Sequence, residues 1–313
     1  MTNVKRALLG MARQCWEQGL AAQAMLETGD EEMLVLMAHD CVVRQNPDGR
    51  LADVESTPAL VDPAVCVEPV LAAGRLTGEA PYARAAARNI EYLLREAPRT
   101  TDGARFHLAG GQEVWADSLG MGPHVLILAG HVEEGLAFYR AVKARLYDPA
   151  TGLVRHKWDE AAGRFSRDAL WGVGNGWALT GLMRAAGALK DAKGEALEFV
   201  IREFHALAEA MARFQRPDGL FCDCLDDPGT YPETESAEMF AYSLYNMVSW
   251  GMVPGDFLKR ADNARRAVRS RVDPLGFVRG CAGSPWFEAP GTSAEAQAHY
   301  LMMERAAQLC LDG

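Results

Sequence analysis

Apolar positions recur at helical spacing through most of the chain, and the helical stretches come in pairs. The first pair covers 4–27 and 31–45, the second 63–76 and 80–97, the third 118–129 and 133–146. The fourth covers 175–189 and 195–215 and the fifth 237–250 and 255–271, while 293–311 stands alone at the end. Within a pair the joint is short and carries a glycine, as in Thr28-Gly29-Asp30 and Leu76-Thr77-Gly78-Glu79. Joints of that length set the two helices side by side and antiparallel.

Between the pairs a turn signal returns five times: Asn46-Pro47-Asp48-Gly49, Thr101-Asp102-Gly103, Asp148-Pro149-Ala150-Thr151-Gly152, Arg216-Pro217-Asp218-Gly219 and Asp273-Pro274-Leu275-Gly276. Pro and Asp favour a turn, and Gly accepts a positive φ. β-like residues follow each copy. The glycines stand 54, 49, 67 and 57 residues apart, a spacing that marks stacked supersecondary units. Five turns separating six units predict an all-α fold, an (α/α)6 barrel or six-hairpin toroid, with short β-hairpin segments at the pocket mouth. One domain over residues 1–313 is expected. Its inner helices are those that follow the turns, and its outer ring lacks one helix at the C-terminus. An open helical solenoid is the alternative, but it needs polar capping repeats and none is evident.

Composition narrows the partners. The 313 residues, 49% hydrophobic, suffice for one large core or two modest ones. The net charge is −10 and no basic stripe appears, which argues against nucleic acid. An anionic ligand would meet a repelling surface, so local positive groups would have to attract it. The seven cysteines are scattered, and Cys222-x-Cys224 has no matching second pair, so no metal site is expected. Small apolar thiols fit a reducing compartment. The apolar run 7–12 is cut by Arg13 and Gln14, too short for a secretory leader. No stretch approaches the ~20 apolar residues that span a bilayer. The expectation is a cytoplasmic protein with no cofactor and no membrane partner; a homo-oligomer is left open.

If each turn-strand segment precedes an inner helix, all five segments gather at one mouth of the ring. Asp62, His107, Trp115, Asp117, His156, Trp158, the run Trp171 to Trp177 and the stretch Glu233 to Glu238 then converge. Carboxylates, imidazoles and indoles together make a concave site. Indole faces suit sugar rings, although a stacked Trp is also a common core residue. Trp171 and Trp177 flank three glycines, and Gly removes side chains where a ligand or another backbone approaches. Asp117, just after a β-like stretch and before a helical one, is placed to hold and protonate a sugar.

Five runs in order carry a resemblance: Trp115-Ala116-Asp117-Ser118-Leu119-Gly120-Met121, Leu146-Tyr147-Asp148, His156-Lys157-Trp158-Asp159-Glu160, Trp171-Gly172-Val173-Gly174-Asn175-Gly176-Trp177-Ala178 and Met239-Phe240-Ala241-Tyr242. With Ser293-Ala294-Glu295-Ala296-Gln297-Ala298, they resemble the unsaturated glucuronyl and rhamnogalacturonyl hydrolases, glycoside hydrolase families 88 and 105, from about residue 60 to the C-terminus. The resemblance implies an (α/α)6 barrel that removes a 4,5-unsaturated uronic acid from the non-reducing end of lyase-generated oligosaccharides. The chemistry it implies is hydration of a vinyl ether: an acid protonates C4, positive charge builds at C5, and water adds there. The acid needs a raised pKa, which burial against indole can supply.

The resemblance places the general acid/base on Asp117 and a second important carboxylate on Asp62, 55 positions upstream. Each also reads as a helix N-cap. It puts substrate contacts on His107 and His156, with Trp115, Trp171, Asn175 and Trp177 lining the sugar site. Two departures stand out. Val173 occupies a place where many relatives carry Arg, which could grip a uronate carboxylate; Lys157 and Arg167 are nearby in sequence and could compensate. Glu238 adds a carboxylate near the mouth, read as a solvent-facing or dipole-compensating first-turn residue. These departures keep two alternatives open: a catalytically weakened sugar-binding barrel, and another (α/α)6 enzyme such as a sugar epimerase, which would pair histidines from among His107, His156 and His299 across the pocket.

Overall fold

The computed structural model describes residues 2–54 and 58–312. It opens with α1 (Asn3–Met11), α2 (Cys15–Thr28) and α3 (Glu31–Val43). A 3-10 turn over Asp62–Cys66 leads into α4 (Val67–Thr77), followed by α5 (Ala80–Glu91), which ends in a π-turn over Tyr92–Glu96. Strand β1 (Glu113–Trp115) precedes α6 (Ser118–Met121), α7 (Pro123–Leu128) and α8 (Val132–Leu146). Strands β2 (Lys157–Asp159) and β3 (Arg164–Arg167) precede α9 (Gly172–Leu189) and α10 (Glu195–Ala212). The pairs β4 (Phe221–Cys222) with β5 (Pro232–Glu233), and β6 (Cys281–Ala282) with β7 (Pro290–Gly291), bracket α11 (Glu235–Ser249) and α12 (Leu258–Arg269). Helix α13 (Ala294–Asp312) ends the described chain.

The helices form two concentric rings. Helices α2, α4, α6 with α7, α9, α11 and α13 follow one another around the inside, and α13 packs back on α2 to close the circle. Outside, α3, α5, α8, α10 and α12 each pack on the inner helix of their own hairpin. Because every hairpin is antiparallel, the inner helices all start at the same mouth, and their positive N-terminal ends gather there. The apolar stripes of both rings merge into one main core.

The five predicted turns share one build. In each, the backbone closes across the turn: Asn46 N–H to Arg50 O, Thr100 to Ala104, Asp148 to Leu153, Arg216 to Leu220 and Asp273 to Phe277, all at 2.8–3.0 Å. The turn glycines have φ between 79° and 106°. Four of the five also press against an outer helix. A Cβ on Gly49 would meet Arg88 of α5, on Gly152 Ala210 of α10, on Gly219 Asn263 of α12, and on Gly276 Asn3 of α1.

That last contact explains how the ring is completed. The sequence reads as one helix over 4–27 with an outer helix missing at the end, and the structure differs on both points. The chain bends at Ala12–Arg13–Gln14, where the Glu17 carboxylate accepts the N–H of Arg13 (2.7 Å) and of Gln14 (2.9 Å) to start α2 afresh. Helix α1 then packs on α13 and takes the sixth outer place. The third inner helix is also split, at Gly122–Pro123, because Pro supplies no N–H and Phe138 of α8 fills the space beside Gly122. No described helix is long and apolar enough to cross a membrane.

Candidate active site

The turn-strand segments do converge at the mouth. Strands β1, β2 and β3 form one antiparallel sheet there, with Trp115 opposite Lys157 and Lys157 opposite Arg167. Behind it stand two similar columns of side chains. In one, Lys157 Nζ lies 3.4 Å from the Trp115 ring centroid, Trp115 stacks on His107 at 4.2 Å, and His107 Nε2 comes within 3.2 Å of Asp62 Oδ1. In the other, Arg167 lies 5.3 Å from the Trp171 centroid, Trp171 stacks on His156 at 4.3 Å, and His156 Nε2 comes within 3.4 Å of Asp117 Oδ2. Trp115 touches His156 edge-on at 5.8 Å, joining the columns.

Each column is fixed from outside. Ser118 Oγ lies 3.1 Å from His107 Nδ1. The Trp171 indole N–H donates to Asp223 Oδ1 at 2.9 Å, and the Tyr231 hydroxyl donates to the same oxygen at 3.0 Å. Neither aspartate is a side-chain cap: Asp117 has helical φ and ψ and no cap bond, and Asp62 lies inside the 3-10 turn. Asp62 Oδ1 and Asp117 Oδ2 are buried without an aligned hydrogen bond among the described residues.

The two carboxyls are driven apart in acidity. Burial and the neighbouring Asp117 charge raise Asp62 well above the usual carboxylate range. Burial opposes the Asp117 charge as well, but His156 and His107 beside it outweigh that and hold its carboxyl at about 2. The sequence-based requirement of a raised acid is therefore met at Asp62 and not at Asp117, because Asp117 faces both imidazoles. His107 is pulled down to about 4 and His156 is also lowered, in both cases chiefly by burial.

Other expected residues are used differently. Asn175 is fully buried; its Oδ1 accepts the Val154 N–H, and its Nδ2 donates to Val154 O and Trp171 O, all at 2.9 Å. Its amide holds the segment before β2 against α9 and has nothing left for a sugar. Trp177 is buried against Gly120 and packs edge-on against His299. Trp158 lies beside Phe165 on the other face of the sheet. The glycines of the Trp171–Trp177 run admit neighbouring helices: a Cβ on Gly176 would lie 2.4 Å from Met239 Sδ, and one on Gly174 3.1 Å from Ala116. Val173 is wholly buried in the core.

An acidic cluster lies behind the mouth. The Glu233 carboxylate accepts the N–H groups of Glu235, Ser236 and Ala282, so it caps α11. Glu235 accepts from Ser293 Oγ at 3.2 Å and lies 3.1 Å from His299 Nδ1. Glu238 is fully buried, and neither oxygen has a hydrogen-bond partner among the described residues, which corrects the solvent-facing reading. Burial pushes its carboxyl well up, which favours the neutral form. Glu295, on α13, is raised by burial and by Glu17, Asp117 and Asp62, with Trp16 acting in the other direction. Sequence reading assigned no role to Asp223, Ser118 or Glu295, since their partners come from distant segments. At the opposite end of the ring a cavity of about 450 Å³ is crossed by Arg184, which is bonded to Glu27, Glu68 and Tyr242.

Glycosyl Hydrolase Family 88 matches residues 2–303. The chain belongs to that family. It is 30% identical over 183 residues to the unsaturated rhamnogalacturonyl hydrolase YesR of Bacillus subtilis, covering 54% of this chain and 53% of that protein. The chain thus matches about half the length of that relative. It is 33% identical over 167 residues to protein Atu3128 of Agrobacterium fabrum, covering 47% of this chain and 70% of that one. Among solved structures it is similar to a possible member of the GH105 family from Klebsiella pneumoniae (TM-score 0.85, 19% identity, 99% of this chain and 92% of that one). It is also similar to the unsaturated glucuronyl hydrolase of Bacillus sp. GL1 (TM-score 0.71, 14% identity, 94% and 84%). These two likenesses concern the (α/α)6 fold. Family 88 is a family of glycosyl hydrolases, which disfavours the epimerase reading; His299, one of the histidines that reading could pair across the pocket, lies against Glu235.

Proposed function

We propose that the protein removes a 4,5-unsaturated uronic acid from the non-reducing end of oligosaccharides left by polysaccharide lyases. The observation that carries this reading is the pair of buried carboxyls, Asp62 and Asp117, each beside an imidazole stacked on an indole at the mouth of the ring. The relatives named for unsaturated rhamnogalacturonyl and glucuronyl substrates point the same way.

Asp117 is the general acid/base. Protonation of C4 leaves a cation at C5, stabilised by the ring oxygen and by the Asp117 carboxylate just formed. Water adds at C5 and loses its proton to Asp117. The resulting hemiketal opens and releases the remaining sugar. For the first step Asp117 must carry a proton, although the imidazoles favour its anion. The anionic uronate arriving beside it opposes that charge, and Asp62, kept protonated by burial, is a nearby proton reserve. Two interacting carboxyls titrate as a unit, so either can hold the shared proton as the surroundings change.

Hydration destroys the conjugated uronate, so its ultraviolet absorbance reports the reaction directly. Asp117→Asn is expected to lower kcat by about 10²–10⁴-fold, the usual contribution of a positioned acid/base, in a variant that circular dichroism shows to be folded. Full activity in that variant would overturn the assignment, as would release of sugar with the chromophore intact.

A further inference from the structure

Lys157 and Arg167 stand directly opposite one another on β2 and β3, and Lys157 stands opposite Trp115 on β1. Directly opposed residues of antiparallel strands point to the same side, so the three side chains share one face. The register between β2 and β3 shifts at this point. Without the extra residue, Ser166 would stand opposite Lys157; the bulge replaces it with Arg167. Bulges re-aim side chains in this way beside functional sites.

Like charges in directly opposed positions destabilise a sheet. Among the described residues neither cation has a close carboxylate partner of its own. Lys157 has no carboxylate within ion-pair distance among the described residues. The nearest carboxylate oxygen to Arg167 is Asp223 Oδ2 at 3.9 Å, and the other oxygen of Asp223 already accepts from Trp171 and Tyr231. Both cations are half-buried; burial and Arg167 press down on the Lys157 ammonium, against the pull of Asp117, Glu113 and Glu288. Both lie over the indoles that stack on His107 and His156. An anion between the two heads would relieve their repulsion at the edge of the reaction site. Val173, buried in the core, offers no charge there.

We propose that Lys157 and Arg167 together bind the carboxylate of the substrate uronic acid. This rests on the uronyl-hydrolase reading of the site. The pair holds the sugar's anionic end at the sheet while its C4 faces Asp117, and it makes the enzyme selective for free uronates over their neutral esters.

The test compares the free-acid unsaturated disaccharide with its methyl ester. Wild type, Lys157→Met and Arg167→Met are assayed on both. Each variant is expected to raise KM for the free acid about 10–100-fold, the value of a lost charge-assisted contact, with kcat within about threefold and KM for the ester unchanged. A merely structural role would move both substrates alike, and that result, or no change in either, would overturn the proposal. Calorimetric titration with glucuronate and with methyl glucoside separates the two readings. Glucuronate binding lost in the variants, with no turnover by wild type, would sink the hydrolase assignment and keep the anion site. Turnover by wild type, with glucuronate binding equal in all three proteins, would do the reverse.

Discussion

Asn175 lies between Trp171 and Trp177 in the stretch that most suggests a sugar site, yet every polar atom of its side chain is bonded to backbone. Truncation would strand the buried N–H and carbonyl of Val154, while Trp171 O keeps the backbone N–H of residue 175. Asn175→Ala is therefore expected to cost about 2–4 kcal/mol of stability in urea denaturation, with KM on the surviving folded enzyme within twofold. A large KM increase with unchanged stability would return Asn175 to the substrate site. At this scale the sequence was readable where a turn-strand segment delivers a residue to the mouth by itself. Asp62, His107, Asp117 and His156 each stand on such a segment or just after it, and the ring brings all four together. What stayed hidden depends on partners from separate hairpins. The acidity of Asp117 is set by two imidazoles 10 positions before and 39 positions after it, and Trp171 is held by Asp223, 52 residues on. Glu238 looked solvent-facing because first-turn glutamates usually are, and only the packing of α11 shows it enclosed.

Helix-to-helix distance decides which glycines the ring needs. A Cβ on Gly181 of α9 would lie 2.2 Å from the Leu119 carbonyl oxygen, and backbone cannot step aside as a side chain can. Gly10, near the end of α1, has nothing within 4 Å of its Cβ position. Gly181→Ala is expected to destabilise the fold by about 1–3 kcal/mol or more through overpacking. Gly10→Ala should stabilise it by up to about 1 kcal/mol, because alanine loses less freedom in a helix. Denaturant midpoints of the two variants should move in opposite directions; a Gly181→Ala midpoint that does not fall would mean that α9 and α6 are not so closely apposed. Element boundaries were legible where local chemistry marks them, as at the five Asp- and Gly-bearing turns. They were not legible where packing overrides propensity. Helix α9 starts at Gly172, three residues earlier than periodicity suggests, because its glycines seat against Ala116, Met239 and Leu119. The break before Cys15 was missed because an apolar-periodic stretch continues across it. Its sign is Glu17, whose carboxylate starts a new helix.

For the molecule as a whole, enclosing so many titratable groups makes stability a function of pH with two opposing limbs. His107, His124 and His299 are pulled down by burial, to about 4, 3 and 3. In the unfolded chain they titrate near 6.5, so below that pH the unfolded state binds protons that the fold refuses, and stability falls as pH drops. Asp62, Glu235, Glu238 and Glu295 act in the other direction, since burial raises all four well above their ordinary values. Their contribution is whole below about 4, where the unfolded carboxyls are also protonated, and is lost as pH rises towards their folded values. Between about pH 4 and 6.5 the two groups oppose each other and largely cancel. Above about 6.5 the histidines no longer contribute and the carboxyls alone set the slope. Below about 4 the carboxyls fall silent and the histidines dominate. The melting temperature is therefore expected to be nearly level from about pH 4.5 to 6.5 and to decline on both sides. Glu238→Gln isolates one contribution, because it keeps the shape and removes the proton. The variant should lose about 1.4 kcal/mol per pH unit less than wild type along the alkaline limb, up to the folded pKa of Glu238. An alkaline limb that is flat in wild type, or equally steep in the variant, would show that Glu238 is ionised and compensated inside the fold.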